Sequence, residues 1–208
     1  MPARDLKAER KDLYAPSAQE PTLAEVPAMQ FLAIDGMGDP NIAPAYAQAV
    51  EALFAVSYAL KFAYKVGPQA LDYKVMPLEG LWLLPDGLAP DGQTLAPARK
   101  ATFAWTMLIR QPDDLTEALF EATRQAVARK KSLPALAALR LEAIHEGRVA
   151  QIMHLGPYDD EGPTIARLHA FIAAQGYTPR GKHHELYLGD PRRAAPAKLR
   201  TVLRQPIA

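Results

Sequence analysis

The sequence predicts an α+β fold made of two pseudo-symmetric halves with antiparallel sheets. Strand-like runs alternate with segments of helical periodicity, glycine and acidic turns punctuate them, and short segments recur in the same order in both halves. The 208 residues are enough for one domain with a sizeable core. The fold class expected is therefore two strand–helix–strand–strand modules with a groove between them.

Composition excludes several classes of protein. The net charge is +1, so no broad basic surface for nucleic acid or membrane is expected. The chain has no cysteine, which excludes disulfides, thiolate catalysis and cysteine-based metal sites. The N-terminal stretch MPARDLKAERKDLY lacks the apolar region of a secretory signal. We therefore expect a cytoplasmic protein that does not bind a membrane.

Elements of the first half follow from periodicity and turn residues. A short helix is expected at Asp5–Leu13 and a longer one at Ala45–Phe62, where apolar residues recur near a helical period. Extended runs are predicted within Thr22–Gly36, joined at Val26–Pro27, and then at Tyr73–Met76, Leu81–Leu84 and Thr102–Ile109. A loop rich in proline and glycine, residues 85–97, separates the last two.

The second half begins with a helix predicted from Asp113 to about Ala128, with acidic residues in its first turn. Residues 139–144 and 148–156 are predicted to form a hairpin around the turn His145-Glu146-Gly147. A helix is expected at Glu161–Ala174 with Gly176 just beyond its end. Strands at 185–188 and 199–206 complete the chain.

An internal repeat is predicted from three matched pairs of segments. Residues 31–40 match 151–160, residues 80–84 match 185–189, and residues 107–112 match 201–206. We interpret residues 1–208 as a single domain whose first module is 22–112 and whose second is 138–206. The alternative is a chance likeness of short strands. The repeat makes Trp82 equivalent to Tyr187 and sets Glu185 against Gly80, with a pocket expected where the modules meet.

Nearly the whole chain resembles the stand-alone GyrI-like small-molecule-binding family. The segments that carry this resemblance are EVPAMQFLAIDGMGDPN (25–41), YALKF (58–62), YKVMPLEGLW (73–82), WTMLIRQP (105–112), QIMHLGPYDDEGPT (151–164), HHELYLGDPRR (183–193) and LRTVLRQP (199–206). The resemblance implies tandem strand–helix–strand–strand (SHS2) modules with a ligand groove between them, as in multidrug-binding domains. The family that this chain resembles includes a branch of hydrolases that open the cyclopropane ring of DNA-alkylating cyclopropanoids.

The resemblance also implies the site. The family glutamate corresponds to Glu185, and aromatic positions correspond to Trp82, Trp105, Tyr187 and Tyr158. Such a groove would bind aromatic or hydrophobic small molecules, including cationic ones. About 20 residues precede the first strand, so no DNA-binding helix-turn-helix and no direct nucleic-acid binding are expected.

Each candidate residue has an alternative structural role. Glu185 could pair with a neighbouring basic side chain, and the tryptophans could simply fill the core. Met107 shares a strand face with Trp105 and could form a floor for a ligand. We predict catalytic roles for Glu185, Tyr187 and His154, the alternative for His154 being a histidine bonded to backbone. We predict ligand-binding roles for Trp82, Trp105, Tyr158, Met107, Glu185 and Tyr187.

No metal and no cofactor are expected. His183 and His184 are adjacent, and in a strand adjacent side chains point to opposite faces, so they cannot chelate together. Glu79 is interpreted as a structural residue, with a second carboxylate in the groove as the alternative. The expected partner is a small-molecule ligand, and the expected oligomeric state is a monomer or weak homodimer. Three functions stay open: hydrolysis of cyclopropanoids as detoxification, non-catalytic drug sensing or scavenging, and protein binding of the gyrase-inhibitor type.

Overall fold

The computed structural model describes residues 3–67, 71–83, 103–190 and 193–208. Its helices are α1 (Leu6–Glu9), α2 (Lys11–Tyr14), α3 (Pro44–Val66), α4 (Glu117–Ala128) and α5 (Gly162–Ala174). Its strands are β1 (Thr22–Val26), β2 (Met29–Met37), β3 (Leu78–Leu83), β4 (Ala104–Arg110), β5 (Arg140–Ile144), β6 (Gly147–Leu155), β7 (His183–Tyr187) and β8 (Arg200–Pro206). The α+β fold class is thus confirmed. The predicted loop 85–97, with Leu84 and Thr102, lies outside the described residues.

The strands form one antiparallel sheet, in the order β1-β6-β8-β7-β3-β4-β2-β5 across the described part of the chain. In a flat sheet, β1 and β2 would be about 29 Å apart at this order. Only residues 27 and 28 join them, and that link spans at most about 11 Å. The sheet must therefore curl until its edges approach each other.

The predicted hairpin of residues 139–144 with 148–156 is wrong. β5 pairs with β2, and β6 pairs instead with β1 and β8. Gly147 does adopt the positive φ of 65° that a turn favours. The linking Glu146, however, is buried and forms an ion pair with Arg204, which directs the linker inward. Long-range burial therefore decided the pairing that local turn chemistry left open.

Two further expectations need correction. Tyr73 makes only an isolated bridge to Arg4, and no strand forms at 73–76. Pro77 follows this segment and lacks the N–H that would continue a strand ladder. α4 begins at Glu117 instead of Asp113, because the Thr116 hydroxyl accepts a hydrogen bond from the Leu119 N–H and caps the helix there.

The strand register supports the proposed repeat. Phe31 lies opposite Arg110 between β2 and β4, and the equivalent Gln151 lies opposite Arg204 between β6 and β8. The sheet order also reads symmetrically outward from the central pair β3–β7. The division into modules 22–112 and 138–206 remains our proposal.

The two long sides of the sheet carry different elements. α3 packs on one side against β2 and β4, and α5 packs on the same side against β6. We call this side the helix face; it carries alternate residues of β7, including Glu185 and Tyr187. The opposite face is covered by α1 and α2 and carries His184 and Leu186. No helix among residues 3–67, 71–83, 103–190 and 193–208 has the length and apolar character to cross a membrane.

Candidate ligand-binding site

Glu185 lies at the centre of the sheet, directly opposite Gly80 in the β3–β7 pair. Its side chain is 13% exposed. The Tyr187 hydroxyl donates a hydrogen bond of 2.7 Å to Glu185 Oε2, and Trp82 Nε1–H donates one of 3.0 Å to the Tyr187 oxygen. We call this the Trp82–Tyr187–Glu185 chain. It joins the two strands predicted to be equivalent and fixes the direction of the carboxylate.

Gly80 provides the space for this chain. A Cβ atom at position 80 would lie 2.6 Å from Met107 Cε, 2.8 Å from Trp82 Nε1 and 3.1 Å from the Tyr187 oxygen. Met107 could bend away, but the indole is rigid and its N–H is already engaged. Sequence reasoning noted Gly80 only as the residue without a charge opposite Glu185; its steric role became visible only with the side chains in place.

We expect Gly80→Ala to weaken ligand binding about tenfold while the protein stays folded. The new methyl would displace the Trp82 indole and break its bond to Tyr187, at a cost of about 1–3 kcal/mol for an overpacked site. Ethidium, a flat aromatic cation, is a suitable probe, with affinity measured by its fluorescence and folding by thermal melting. Unchanged affinity would show that the packing around Gly80 does not shape the site.

Tyr46, from the first turn of α3, adds an aromatic wall on one side of Glu185. Its ring stacks on Trp82 with centroids 6.5 Å apart and meets Trp105 edge-on at 5.4 Å. Burial, followed by the negative charge of Glu185, raises the pKa of Tyr46, so it lies within the field of that carboxylate. The sequence predicted a helix over Ala45–Phe62 but did not assign Tyr46 to the site, because nothing local distinguishes this residue from the other apolar positions of the helix.

Trp105 supports this wall from beneath. It is buried, its Nε1–H donates to the Gly38 carbonyl at 3.2 Å, and its ring covers Gly36, where a Cβ would come within 2.0 Å of the indole. Trp82 and Trp105 are direct cross-strand partners, as expected for neighbouring antiparallel strands. The ligand-binding role of Trp105 stays a prediction.

Tyr158 supplies the wall on the other side. It lies in the short turn Tyr158–Asp160 before α5, and its ring meets Tyr187 edge-on with centroids 5.3 Å apart. Burial, with nearby Glu161 and Glu185, raises the pKa of Tyr158 to about 12. Burial and Glu185 also raise the pKa of Tyr187. Both phenols therefore stay protonated at neutral pH, where Tyr187 donates to Glu185 and Tyr158 donates to the Gly189 carbonyl at 3.4 Å.

The histidines differ in their relation to the site. His183 is fully buried 3.6 Å from Glu185, and burial, reinforced by His169 and His184, lowers its pKa to about 3. It is neutral at physiological pH. His154 lies on the helix face, but its ring nitrogens are 2.9 Å from the Thr164 hydroxyl and 3.1 Å from the Pro157 carbonyl. No described contact brings His154 to Glu185, and its catalytic role stays a prediction.

Across the described ranges, no group of three or more histidine, aspartate or glutamate side chains is arranged to hold a metal ion. Met107 is fully buried with its methyl group against Gly80, beneath the Trp82–Tyr187–Glu185 chain. Its predicted role as a floor for a ligand stays a prediction.

Glu79 points away from the site and into a buried ion cluster on the opposite face. His184 Nε2 lies 3.1 Å from Glu79 Oε2, and His184 Nδ1 lies 3.0 Å from Glu146 Oε1. Arg204 contacts the other oxygen of Glu146 at 3.0 Å. We call these four residues, Glu79, His184, Glu146 and Arg204, the buried ion cluster. Its charges balance only when His184 is an imidazolium, since both of its nitrogens face carboxylates.

The electrostatics agree with that charge state. Burial alone would lower the pKa of His184, but Glu146 and Glu79 outweigh it and raise the pKa to about 9. Burial would raise the pKa of Glu146, but His184 and Arg204 lower it to about 2. The adjacent histidines of β7 thus differ in charge. His184 is an imidazolium because two carboxylates lie 3.0 and 3.1 Å from its ring nitrogens, whereas His183 is neutral, with Glu185 at 3.6 Å.

We expect the free energy of unfolding to be greatest near pH 6.5. The contribution of His184 is complete below its unfolded pKa of 6.5 and is lost as pH rises through about 9. The stability that neutral His183 contributes is complete above its unfolded pKa of 6.5 and is lost as pH falls toward 3. The contribution of Glu146 is lost as pH falls from 4.5 toward 2. Denaturant titrations across pH 4–10 test this. His184→Gln should remove much of the alkaline decline, and an unchanged alkaline limb would contradict the assignment.

Comparison with known proteins identifies the family. The GyrI-like small molecule binding domain matches residues 19–208. A conserved protein of Listeria innocua is similar in structure, with a TM-score of 0.88 and 35% identity over 99% of this chain and 100% of its own. A hydrolase from Listeria innocua has a TM-score of 0.83 and 36% identity over 99% of this chain and 100% of its own. No protein with a curated function matches.

A more distant likeness shows the fold alone. The EcmrR C-terminal domain has a TM-score of 0.53 and 13% identity, covering 91% of this chain and 97% of that domain. The family match spans nearly all of the chain, including every strand and both long helices of the helix face. This chain belongs to the GyrI-like small-molecule-binding domain family.

Proposed function

We propose that the helix-face site binds flat aromatic molecules and hydrolyses electrophilic cyclopropanoids among them. The observation that carries this proposal is the Trp82–Tyr187–Glu185 chain: a partly exposed carboxylate is held in one direction among aromatic rings. The hydrolase from Listeria innocua, 36% identical over 99% of this chain, supports a hydrolytic activity. By consuming DNA-alkylating cyclopropanoids, such an activity would serve detoxification.

Aromatic walls on both sides of Glu185 explain the binding step. Tyr46 and Trp82 lie on the side of α3, and Tyr158 and Tyr187 lie on the side of α5. Aromatic rings favour offset or edge-on contact with a flat ligand, which adds about 0.5–1.5 kcal/mol for each pair beyond the area buried. The ligand would thus lie across the central strand pair, with its reactive carbon toward Glu185.

The proposed reaction adds one water to the ligand. Glu185 accepts a proton from water while the water oxygen forms a bond to the strained cyclopropane carbon. The carbon–carbon bond to that atom breaks, and its electron pair enters the conjugated ketone as a phenolate. The proton held by Glu185 then returns to the phenolate oxygen or to solvent. A positioned general base of this kind contributes roughly 10²–10⁴-fold to the rate.

Tyr187 acts in this scheme by orienting Glu185. Its hydroxyl hydrogen is directed to Glu185, and its oxygen already accepts from Trp82. Because the Tyr187 hydroxyl both donates to Glu185 and accepts from Trp82, it holds these two side chains in place. The Glu185 carboxylate is thereby oriented toward the ligand. Both ring nitrogens of His154 are bonded within the protein, so in this scheme His154 transfers no proton.

Mass spectrometry tests the proposal directly. The protein is incubated with a cyclopropanoid DNA alkylator, and small molecules are separated and weighed over time. We expect a product heavier than the substrate by one water, formed faster than in buffer alone. Intact compound that co-purifies with the protein would make it a sensor or scavenger and would overturn the hydrolytic step. Failure to bind either the alkylator or ethidium would overturn the site assignment itself.

A further inference from the structure

The N-terminal segment, residues 4–15, contacts the buried ion cluster from the side opposite the ligand site. This segment lies before residue 19, where the family match begins. The Tyr14 hydroxyl donates to Glu79 Oε1 at 3.1 Å, and Arg204 donates to the Leu13 carbonyl at 2.8 Å. The segment therefore supplies hydrogen-bonding partners to one anion and one cation of the cluster.

These contacts are fully buried, which makes them consequential. Glu79, Arg204 and His184 are each no more than 1% exposed, and Leu13 and Tyr14 are buried with them. A buried charge requires a partner, since an unsatisfied one carries its full desolvation cost. Gln151, which also contacts Arg204, donates to the Asp12 carbonyl at 2.6 Å. Without the segment, water or rearrangement would have to replace several bonds at once.

The segment is also anchored independently of the cluster. Arg4 pairs with Tyr73 in a backbone bridge, and the amide of Lys74 donates to the Arg4 carbonyl at 2.8 Å. Leu6 and Leu13 are buried in the main core. Both ends of the segment are thus fixed, so Tyr14 is presented to Glu79 from a defined position.

The cluster and the site share the same two strands. Glu79 is next to Gly80 on β3, and His184 is next to Glu185 on β7. Because side chains alternate along a strand, each pair points to opposite faces of one backbone. Gly80 and Glu185 are direct partners in the β3–β7 ladder. A displacement of Glu79 or His184 on one face therefore moves the two residues at the centre of the site on the other.

We propose that the N-terminal segment is a positioning element of the ligand site: by completing the buried ion cluster through Tyr14 and Leu13, it fixes the central strand pair that sets Gly80 against Glu185. Tyr14 acts through Glu79 and never contacts a ligand. The consequence for binding rests on the proposed function, whereas the consequence for the geometry of the Trp82–Tyr187–Glu185 chain does not.

The experiment uses the two tryptophans of the chain as reporters in the full-length protein. In ¹⁵N-labelled protein, the indole N–H of Trp82 reports its bond to Tyr187, and that of Trp105 reports its bond to Gly38. Trp105→Phe assigns the two signals. We expect Tyr14→Phe to shift the Trp82 signal and leave the Trp105 signal in place. We also expect ethidium affinity to fall at least about fivefold, the lower end of coupling between linked sites.

Tyr73→Phe is the matched control, because it also removes one buried hydroxyl, which donates to Gln111 at 3.1 Å outside the cluster. Both variants should lower Tm, but only Tyr14→Phe should move the Trp82 signal. If Tyr14→Phe lowers Tm and leaves that signal and the affinity unchanged, the segment is only structural and the inference is wrong. A shifted Trp82 signal in a protein that never binds ethidium would sustain the positioning role and overturn the proposed function. If Tyr14→Phe does not fold, Glu79→Gln tests the coupling step on which the inference depends: it keeps an acceptor for Tyr14 but removes one charge of the cluster, and an unchanged Trp82 signal would overturn the inference.

Discussion

Glu185→Gln is expected to slow cyclopropanoid hydrolysis by several orders of magnitude while the ligand still binds. The amide keeps the size of the side chain and an oxygen for the Tyr187 hydroxyl, whose bond to Glu185 is 2.7 Å long. It cannot accept a proton from water at neutral pH. We therefore expect kcat to fall by roughly 10²–10⁴-fold, the contribution of a positioned general base. The measurement is the rate at which the product heavier by one water appears.

Glu25→Gln is the matched control for that variant. Glu25 forms an exposed ion pair with Arg148 on β6, and its side chain is 65% exposed. Its hydrolysis rate should equal that of the wild type. A Glu185→Gln protein that hydrolyses the substrate at the wild-type rate would remove Glu185 from the mechanism. One that loses aromatic binding as well would make Glu185 a binding residue first.

Glu146→Ala should be the most destabilising single change on the opposite face. It leaves Arg204 and His184 buried with Glu79 as their remaining carboxylate. Removal of one partner from a buried ion pair costs about 3–5 kcal/mol, because the remaining charge is uncompensated. For a chain of this size, that corresponds to a fall in Tm of roughly 10 °C. Urea unfolding at pH 6.5 gives the free energy directly.

Glu142→Ala provides the comparison, four residues earlier in the chain. Glu142 pairs with Arg140 at 2.7 Å, but both side chains are about 40% exposed. A pair of that kind contributes about 0–1 kcal/mol. The Glu146–Arg204 pair is longer, at 3.0 Å, yet it is expected to contribute more to the free energy of unfolding because it is buried. Equal losses for the two variants would show that the buried cluster carries no special stability.

Sequence patterns determined the secondary structure where one periodicity was unambiguous. α3, α5 and the strands around Trp82, Trp105 and Glu185 were all predicted, because alternation and helical spacing each place apolar residues on one face. The repeat set Glu185 against Gly80, and those residues are cross-strand partners. The resemblance of the motifs to the GyrI-like family was confirmed over residues 19–208. The sequence therefore predicted the family and the cross-strand pairing of Gly80 with Glu185, and the chemistry of the site stays a prediction.

The tertiary structure decided which distant segments meet. β5 pairs with β2 and not with the adjacent β6, because the curled sheet and the burial of Glu146 outweigh the local turn. Tyr46 joins the site and Tyr14 joins the buried ion cluster through contacts between residues far apart in the chain. The sequence by itself determined the fold class and the family, whereas the roles it assigned to Glu185, Tyr187 and Trp82 stay predictions. Only the tertiary structure decided that Tyr46 lies beside Trp82 and Tyr14 beside Glu79. Contacts between distant elements depend on packing and leave no local pattern in the sequence.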